Sequence, residues 1–149
     1  MPHITLAIQP GGPIAGFSVG ISATRERALR AAHQPVPALI PLHALVDTGA
    51  DGTFIDVRHL QPLDLPYPTF ALVGTAAGTA HTFAPQYEVS LTISHPSGNR
   101  RANLVIPAIP VIDMQLAPHL GYEALIGRDV LERCLLLYDG EAGAFTLGY

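Results

Sequence analysis

The chain has 149 residues, 48% of them apolar and only 13% charged, with a formal net charge of −4. That length suits one domain with a real core, the charge argues against a nucleic-acid surface, and no apolar run reaches the roughly 18 residues of a membrane span. Charged residues are at about half their usual share, so part of the surface is expected to be covered, by a second copy or within an apolar cleft.

The N-terminus, Met1-Pro2-His3-Ile4, lacks the basic and apolar regions of a signal peptide. The one cysteine, Cys134, has no partner for an internal disulfide, which suits a reducing compartment. A cytoplasmic location is the resulting expectation.

Fourteen glycines and fourteen prolines cut the chain into short pieces, the pattern of an all-β domain. Ile4, Leu6 and Ile8 alternate, Pro10-Gly11-Gly12-Pro13 turns, and Phe17, Val19 and Ile21 alternate again. This predicts a first hairpin with one buried face. Ala23 to Pro37 is different: it carries Arg25, Glu26, Arg27 and Arg30 and is closed by Pro35 and Pro37. It reads as an exposed insertion, either a short helix or an extended strand pair. Ala38 to Val46 reads as a strand with apolar residues on both faces.

That strand runs into Asp47-Thr48-Gly49-Ala50-Asp51-Gly52, and an apolar strand resumes at Thr53-Phe54-Ile55. An acid at the end of a buried strand is costly unless it is paired, hydrogen-bonded or protonated. Acids kept in such places are disproportionately functional. Asp56 then caps a short turn.

Phe70 to Val73 and Thr79 to Phe83 read as the two strands of a hairpin, with Gly74-Thr75-Ala76-Ala77-Gly78 at its tip. Glycine at both ends of that tip suits a backbone that approaches something closely, although alone it reads as a plain surface hairpin. Tyr87, Val89, Leu91 and Ile93 alternate with Glu88, Ser90, Thr92 and Ser94, the clearest half-buried strand in the chain. Leu104 to Ile106 and Ile109 to Ile112 follow as strands. Ala124-Leu125-Ile126 then breaks at Gly127, and Arg128 to Cys134 places Val130, Leu131 and Cys134 on one helical face. This is the one helix expected with security. Leu135 to Tyr138 and Phe145 to Leu147 flank a turn and form a terminal hairpin.

The seven histidines are scattered and there is no cysteine pair, so neither a metal site nor a cofactor is expected. Gly16-Phe17-Ser18-Val19-Gly20 matches the G-x-S-x-G elbow of serine hydrolases. That elbow needs a strand before it and a helix after it. Here the match lies inside an alternating strand, which puts Ser18 on a polar strand face and ranks a serine hydrolase far behind.

Ala44-Leu45-Val46-Asp47-Thr48-Gly49-Ala50-Asp51 and Ala124-Leu125-Ile126-Gly127-Arg128-Asp129, with a glycine-flanked hairpin between them, resemble the retroviral-type aspartic proteases (retropepsins) and their bacterial single-domain relatives. The resemblance covers the chain outside the insertion at 23–37. It implies an all-β, closed-barrel half-lobe over residues 1–149 with one short C-terminal helix, working as a homodimer.

It also implies roles. Asp47 is the catalytic aspartate. Thr48 braces the partner's loop, and Gly49 lets a substrate backbone approach the acid. Asp51, beside Ala50, contacts the substrate main chain and pairs with Arg128. Gly74, Thr75, Ala76, Ala77 and Gly78 form the flap tip over the substrate. The tip departs from the glycine-richer viral pattern.

Hydrolysis by this route needs two carboxylates sharing a proton. The chain holds one Asp-Thr-Gly, so an active enzyme requires one Asp47 from each of two subunits. The chain ends, Ile4-Leu6-Ile8 and Phe145 to Tyr149, are candidates for the interface. The expected function is an aspartic endopeptidase acting on extended peptides. The alternative is a peptide-binding or dimerisation domain of the same fold with little or no turnover.

Overall fold

The computed structural model describes residues 1–74, 78 and 80–149. Among these described residues, ten strands are arranged in two sheets. In chain order they are β1 (His3–Ala7), β2 (Ile14–Ile21), β3 (Ile40–Val46), β4 (Thr53–Asp56), β5 (Thr69–Gly74), β6 (His81–Ile93), β7 (Leu104–Met114), β8 (Ala124–Ile126), β9 (Leu135–Asp139) and β10 (Ala144–Gly148). The larger sheet runs β2-β3-β8-β4-β7-β6-β5, and a further pairing of β2 with β6 closes six of these strands into a barrel. β5 hangs from β6 outside the closure. The smaller sheet is β1-β10-β9. Among the described residues, no helix is long and apolar enough to cross a membrane.

Period-two burial explains the barrel. Val89, Leu91 and Ile93 of β6 are buried, while Glu88 is exposed. Leu42, Ala44 and Val46 of β3 point inward, whereas Pro41 and His43 are exposed. The strand expected to be apolar on both faces is thus one-sided. Val19, Ile55, Val111 and Ile126 fill the interior. Each large apolar side chain buried there contributes about 1.5–3 kcal/mol.

The first hairpin is not formed. β1 pairs antiparallel with β10, placing Leu6 opposite Phe145, while β2 pairs with β3 and β6. A Gln9–Gly12 bridge with Gly12 at φ +115° turns the chain, and the two runs then enter different sheets. Alternation fixes which face of a strand is buried, not which strand it pairs with.

Two predicted pairs of short strands are instead single long ones. β6 runs through Pro85, and β7 runs through Pro107 and Pro110. The register shifts where Val89 faces Ile109 and Leu91 faces Ile106. The extra β7 residue of that bulge falls at Pro107 and Ala108, which lets a residue without an N–H sit in a paired strand.

Of the two readings of the insertion, the short helix is the one formed, and the expected C-terminal helix is a single turn. The longest is α1 (Ala23–Ala31), inside the insertion, followed by the single turns α2 (Val57–Leu60) and α3 (Arg128–Leu131). α1 buries none of its residues. Ser22 caps it, its Oγ accepting from the Arg25 N–H, and Glu26 pairs with Arg30 at 2.7 Å one turn on. Local signals built this helix, so the absence of an apolar stripe did not prevent it.

Candidate active site

β3 and β8 lie side by side in parallel, with Val46 opposite Ile126, so the two sequence motifs leave the barrel together. The Asp47 N–H donates to the Ile126 carbonyl at 3.0 Å. The chain then turns on itself. The Gly49 N–H donates to Asp47 Oδ1 at 2.9 Å, and the Ala50 N–H donates to the Asp47 carbonyl at 3.2 Å. This is an Asx turn, the local structure that aspartate followed by small residues favours. A Cβ on Gly49 would stand 3.1 Å from Asp47 Oδ1 and crowd the carboxylate.

Asp47 is half-buried, not the fully buried acid expected from its place after an apolar strand. Among the described residues its Oδ2 has no hydrogen-bond donor. Thr48 and Gly49 beside it are exposed.

The second motif clamps the turn. The Arg128 N–H donates to the Ala50 carbonyl at 2.9 Å, Arg128 Nη1 donates to the Thr48 carbonyl at 3.2 Å, and the guanidinium forms an ion pair with Asp51. Both side chains of that pair are largely exposed, so the pair itself is worth about 0–1 kcal/mol. Backbone packing is tighter. A Cβ on buried Gly127 would collide with the Gly52 carbonyl and lie 3.0 Å from the Ala50 carbonyl. Only glycine allows these two backbones to touch.

Two residues given no role from the sequence complete the clamp. Asp129 Oδ1 accepts from the Thr53 hydroxyl at 2.8 Å and from the Val130 N–H at 2.9 Å, while its Oδ2 accepts from the Thr53 N–H at 3.0 Å. Thr53 is fully buried, and its hydroxyl oxygen accepts from the Gly127 N–H at 3.3 Å. The available signal was chemical: a hydroxyl opening an apolar strand and an acid in the first turn of a helix each need a partner.

The buried carboxylate of this region is Asp56, at the end of β4, which has no exposed surface. Its Oδ1 accepts from Arg58 N at 3.0 Å and Nε at 2.8 Å, and its Oδ2 accepts from Arg58 Nη2 and Leu116 N, each at 2.9 Å. These bonds, those from the Arg58 side chain first, outweigh desolvation and hold its carboxyl well below the usual carboxylate range. It caps α2, as expected, and also ties α2 to the segment after β7.

Of the expected flap, β5 and β6 pair from Thr69–Gln86 to Gly74–His81, and Gly74 and Gly78 are exposed. Thr75, Ala76 and Ala77 lie outside the described residues. Ser18 is half-buried in mid-strand, opposite Pro41 and Thr92, and β2 runs on to Ile21 before α1 begins, so Ser18 is not at the strand-to-helix turn an elbow requires.

A sequence model of the retroviral aspartyl protease family matches residues 12–137. Among solved structures, a retropepsin-like aspartic protease from Rickettsia conorii aligns with a TM-score of 0.55 and 16% identity, over 97% of this chain and 89% of that one. The EIAV protease complexed with the inhibitor HBY-793 aligns with a TM-score of 0.36 and 24% identity, over 62% of this chain and 76% of that one. The curated proteins contain no match. The Rickettsia likeness speaks to the fold.

Proposed function

The chain belongs to the retroviral aspartyl protease family, and from that premise we propose that it is an aspartic endopeptidase whose active form is a homodimer, with residues 1–149 as one protease subunit. The observation that carries this reading is the Asp47-Thr48-Gly49 turn. It is complete in sequence, folded by its own hydrogen bonds and locked to Gly127–Asp129. It presents one carboxylate with an oxygen that has no donor among the described residues, which is half of a proton-sharing pair.

In the proposed dimer each subunit supplies one Asp47. Two carboxylates about 3 Å apart cannot both ionise, so one keeps a proton. The ionised one takes a proton from a water molecule as that water attacks the peptide carbonyl. The protonated one donates its hydrogen bond, then its proton, to the carbonyl oxygen, giving a tetrahedral diol. Collapse of the diol passes a proton to the amide nitrogen and breaks the C–N bond. The Gly49 N–H bond fixes the orientation of each acid in advance, so reorganisation at the moment of reaction is small.

The substrate in this reading is an extended peptide laid as a strand between flap and floor, with apolar residues near the cut. Exposed Gly49, with Ala50 and Asp51, forms the floor. The hairpin tip from Gly74 through Thr75, Ala76 and Ala77 to Gly78 forms the cover. Exposed Thr48 reaches the partner's equivalent turn.

The test is Asp47→Asn assayed against a mixed-peptide library between pH 4 and 7. Cleavage is expected from the parent and not from the variant. Cleavage that survives in the variant refutes the mechanism. A parent that binds a transition-state mimic yet cuts nothing would instead identify a binding domain.

A further inference from the structure

α1 lies in the insertion at 23–37, outside both sequence motifs, yet its first turn is fixed to the barrel. β2 ends at buried Ile21, and the next residue, buried Ser22, caps the helix through the Arg25 N–H. Leu29, one turn on, packs against the core. The Arg25 side chain does not behave as a solvated charge. It is half-buried, and its Nη2 donates to the Asp64 carbonyl at 2.7 Å, across 39 residues of sequence. Its Nε is buried with no acceptor among the described residues. A long charged side chain on a helix normally keeps its head in water. This one has given up water for a single carbonyl and carries the cost of an unpaired N–H.

Asp64 is a residue that needs holding. With φ 47° and ψ 54° it lies in the left-handed region, which non-glycine residues keep only where their surroundings fix them. Its own N–H bonds locally, to the Gln61 carbonyl at 3.2 Å. Leu63 before it is fully buried. After it the packing thins. Leu65 is half-buried beside a cavity of about 160 Å³, lined also by Val57, Leu60, Gln61 and Tyr87, and Pro66 and Tyr67 are exposed. Among the described residues, the Arg25 bond is the one hydrogen bond that ties residues 64–68 to another segment.

Those residues are one root of the β5–β6 hairpin. Pro66 and Pro68 stiffen the connection, and β5 starts at Thr69. β5 pairs with β6 alone, and β6 leaves the barrel at Gln86, where its pairing with β7 ends. Over residues 70–74 and 81–85 the two strands therefore hold only each other. One leg of this ribbon is rooted in the barrel at Gln86. The other is rooted, through the stiff prolines, at Asp64.

We propose that Arg25 is a positioning residue for the cleavage proposed above: by holding the Asp64 carbonyl it anchors the second leg of the β5–β6 hairpin and fixes where the hairpin stands when a peptide is laid beneath it. The inference rests on the protease reading and gives the insertion a part in it. A ribbon released at one leg samples more positions, and that freedom must be given up when substrate binds. The loss falls on binding, because Asp47 and its turn are held by other bonds.

The experiment compares the full chain with Arg25→Ala and Arg25→Lys. Alanine keeps the helix, since Ser22 accepts from the backbone N–H of position 25 and alanine is the strongest helix former. In Arg25→Ala, KM for a cleaved peptide is expected to rise on the order of 10-fold with kcat within about twofold of the parent's. The melting temperature is expected to stay close to the parent's. Amide order parameters and relaxation dispersion by NMR are expected to reveal added motion at residues 70–74 and 81–84 and none in β3 or β8. Arg25→Lys keeps a donor for the carbonyl and is expected to recover most of both effects. A hairpin in Arg25→Ala as ordered as the parent's overturns the brace, and a looser hairpin with unchanged KM overturns its role in positioning. A joint loss of kcat and melting temperature that Lys does not restore shows a purely structural residue and overturns the proposal too. A parent that cuts no peptide overturns the protease reading, and the brace on the hairpin then stands or falls by the NMR comparison.

Discussion

Asp47 and Asp56 are two acids that follow or end the barrel strands on either side of β8, and they are solved in opposite ways. Asp56 is fully buried, and its two oxygens accept four hydrogen bonds from Arg58 and Leu116. Asp47 is half-buried, and among the described residues one oxygen accepts one bond, from Gly49. A carboxylate whose lone pairs are all engaged is held ionised and has nothing left with which to move a proton. A carboxylate held at one oxygen is oriented and still free at the other. The comparison separates an acid that holds the structure together from an acid left available for the proposed reaction.

Removing each charge in turn is the most direct way to break that comparison. In Asp47→Asn, peptide cleavage is expected to fall by at least about 10²–10⁴-fold, the usual worth of a positioned acid–base group. Its melting temperature should stay close to the parent's, because Asn can still accept from the Gly49 N–H. In Asp56→Asn the order reverses. Folding stability, read by urea titration, is expected to drop by about 2–3 kcal/mol, the scale of hydrogen bonds to a charged group. Activity per folded molecule is expected to hold. A variant pair that loses activity equally would erase the distinction.

Acid titration sharpens the same point. The folded-state pKa of Asp56 lies below its unfolded value. Its contribution is therefore fully present above the ordinary carboxylate pKa of about 3.9 and is lost as pH falls through the folded value. Stability measured from pH 5 downward should fall in the parent, with that part of the slope missing in Asp56→Asn. An equal slope in both would mean that other carboxylates carry the acid response.

Smaller effects are expected in the clamp. Gly127→Ala forces a Cβ against the Gly52 carbonyl, so the loop must shift. A stability loss of about 1–3 kcal/mol is expected, as for overpacking elsewhere, with a further loss of cleavage because Asp47 hangs from the same loop. Asp51→Asn removes an exposed ion pair and should change the unfolding free energy by less than about 1 kcal/mol. Any larger change in cleavage would then reflect contact of Asp51 with substrate, read as a rise in KM.

Much of the barrel was legible in the sequence. Val89, Leu91 and Ile93 announce their buried face by alternation, and Leu135 to Leu147 reads correctly as a hairpin around its turn. The two motifs of the candidate site were legible too, and their meeting follows from β3 and β8 lying in parallel. The rest was hidden for identifiable reasons. Ser22 and the Glu26–Arg30 pair favour a helix over Ala23–Ala31, but without an apolar stripe the sequence left a short helix and an extended strand pair as equal alternatives there. Pro107 broke one strand into two on paper because a bulge that accommodates it involves the opposite strand. Asp56-Val57-Arg58 looked like a cap because the Leu116 N–H that completes its site comes from 60 residues away.

What the sequence determined by itself is what depends on near neighbours: strand faces, caps, the Asx turn at Asp47 and the need for glycine at its close approaches. These follow from side-chain period and backbone geometry over a few residues. Only the tertiary structure decided the rest. β1 joined β10 instead of β2, β10 was thereby enclosed between two strands of its own subunit, β9 was left as an edge strand, and Asp56 took the buried position that Asp47 was expected to hold. The physical reason is common to all four. A strand's alternation specifies a face to be covered and is silent on its neighbour, and an acid's surroundings are set by whatever segments the fold folds over it.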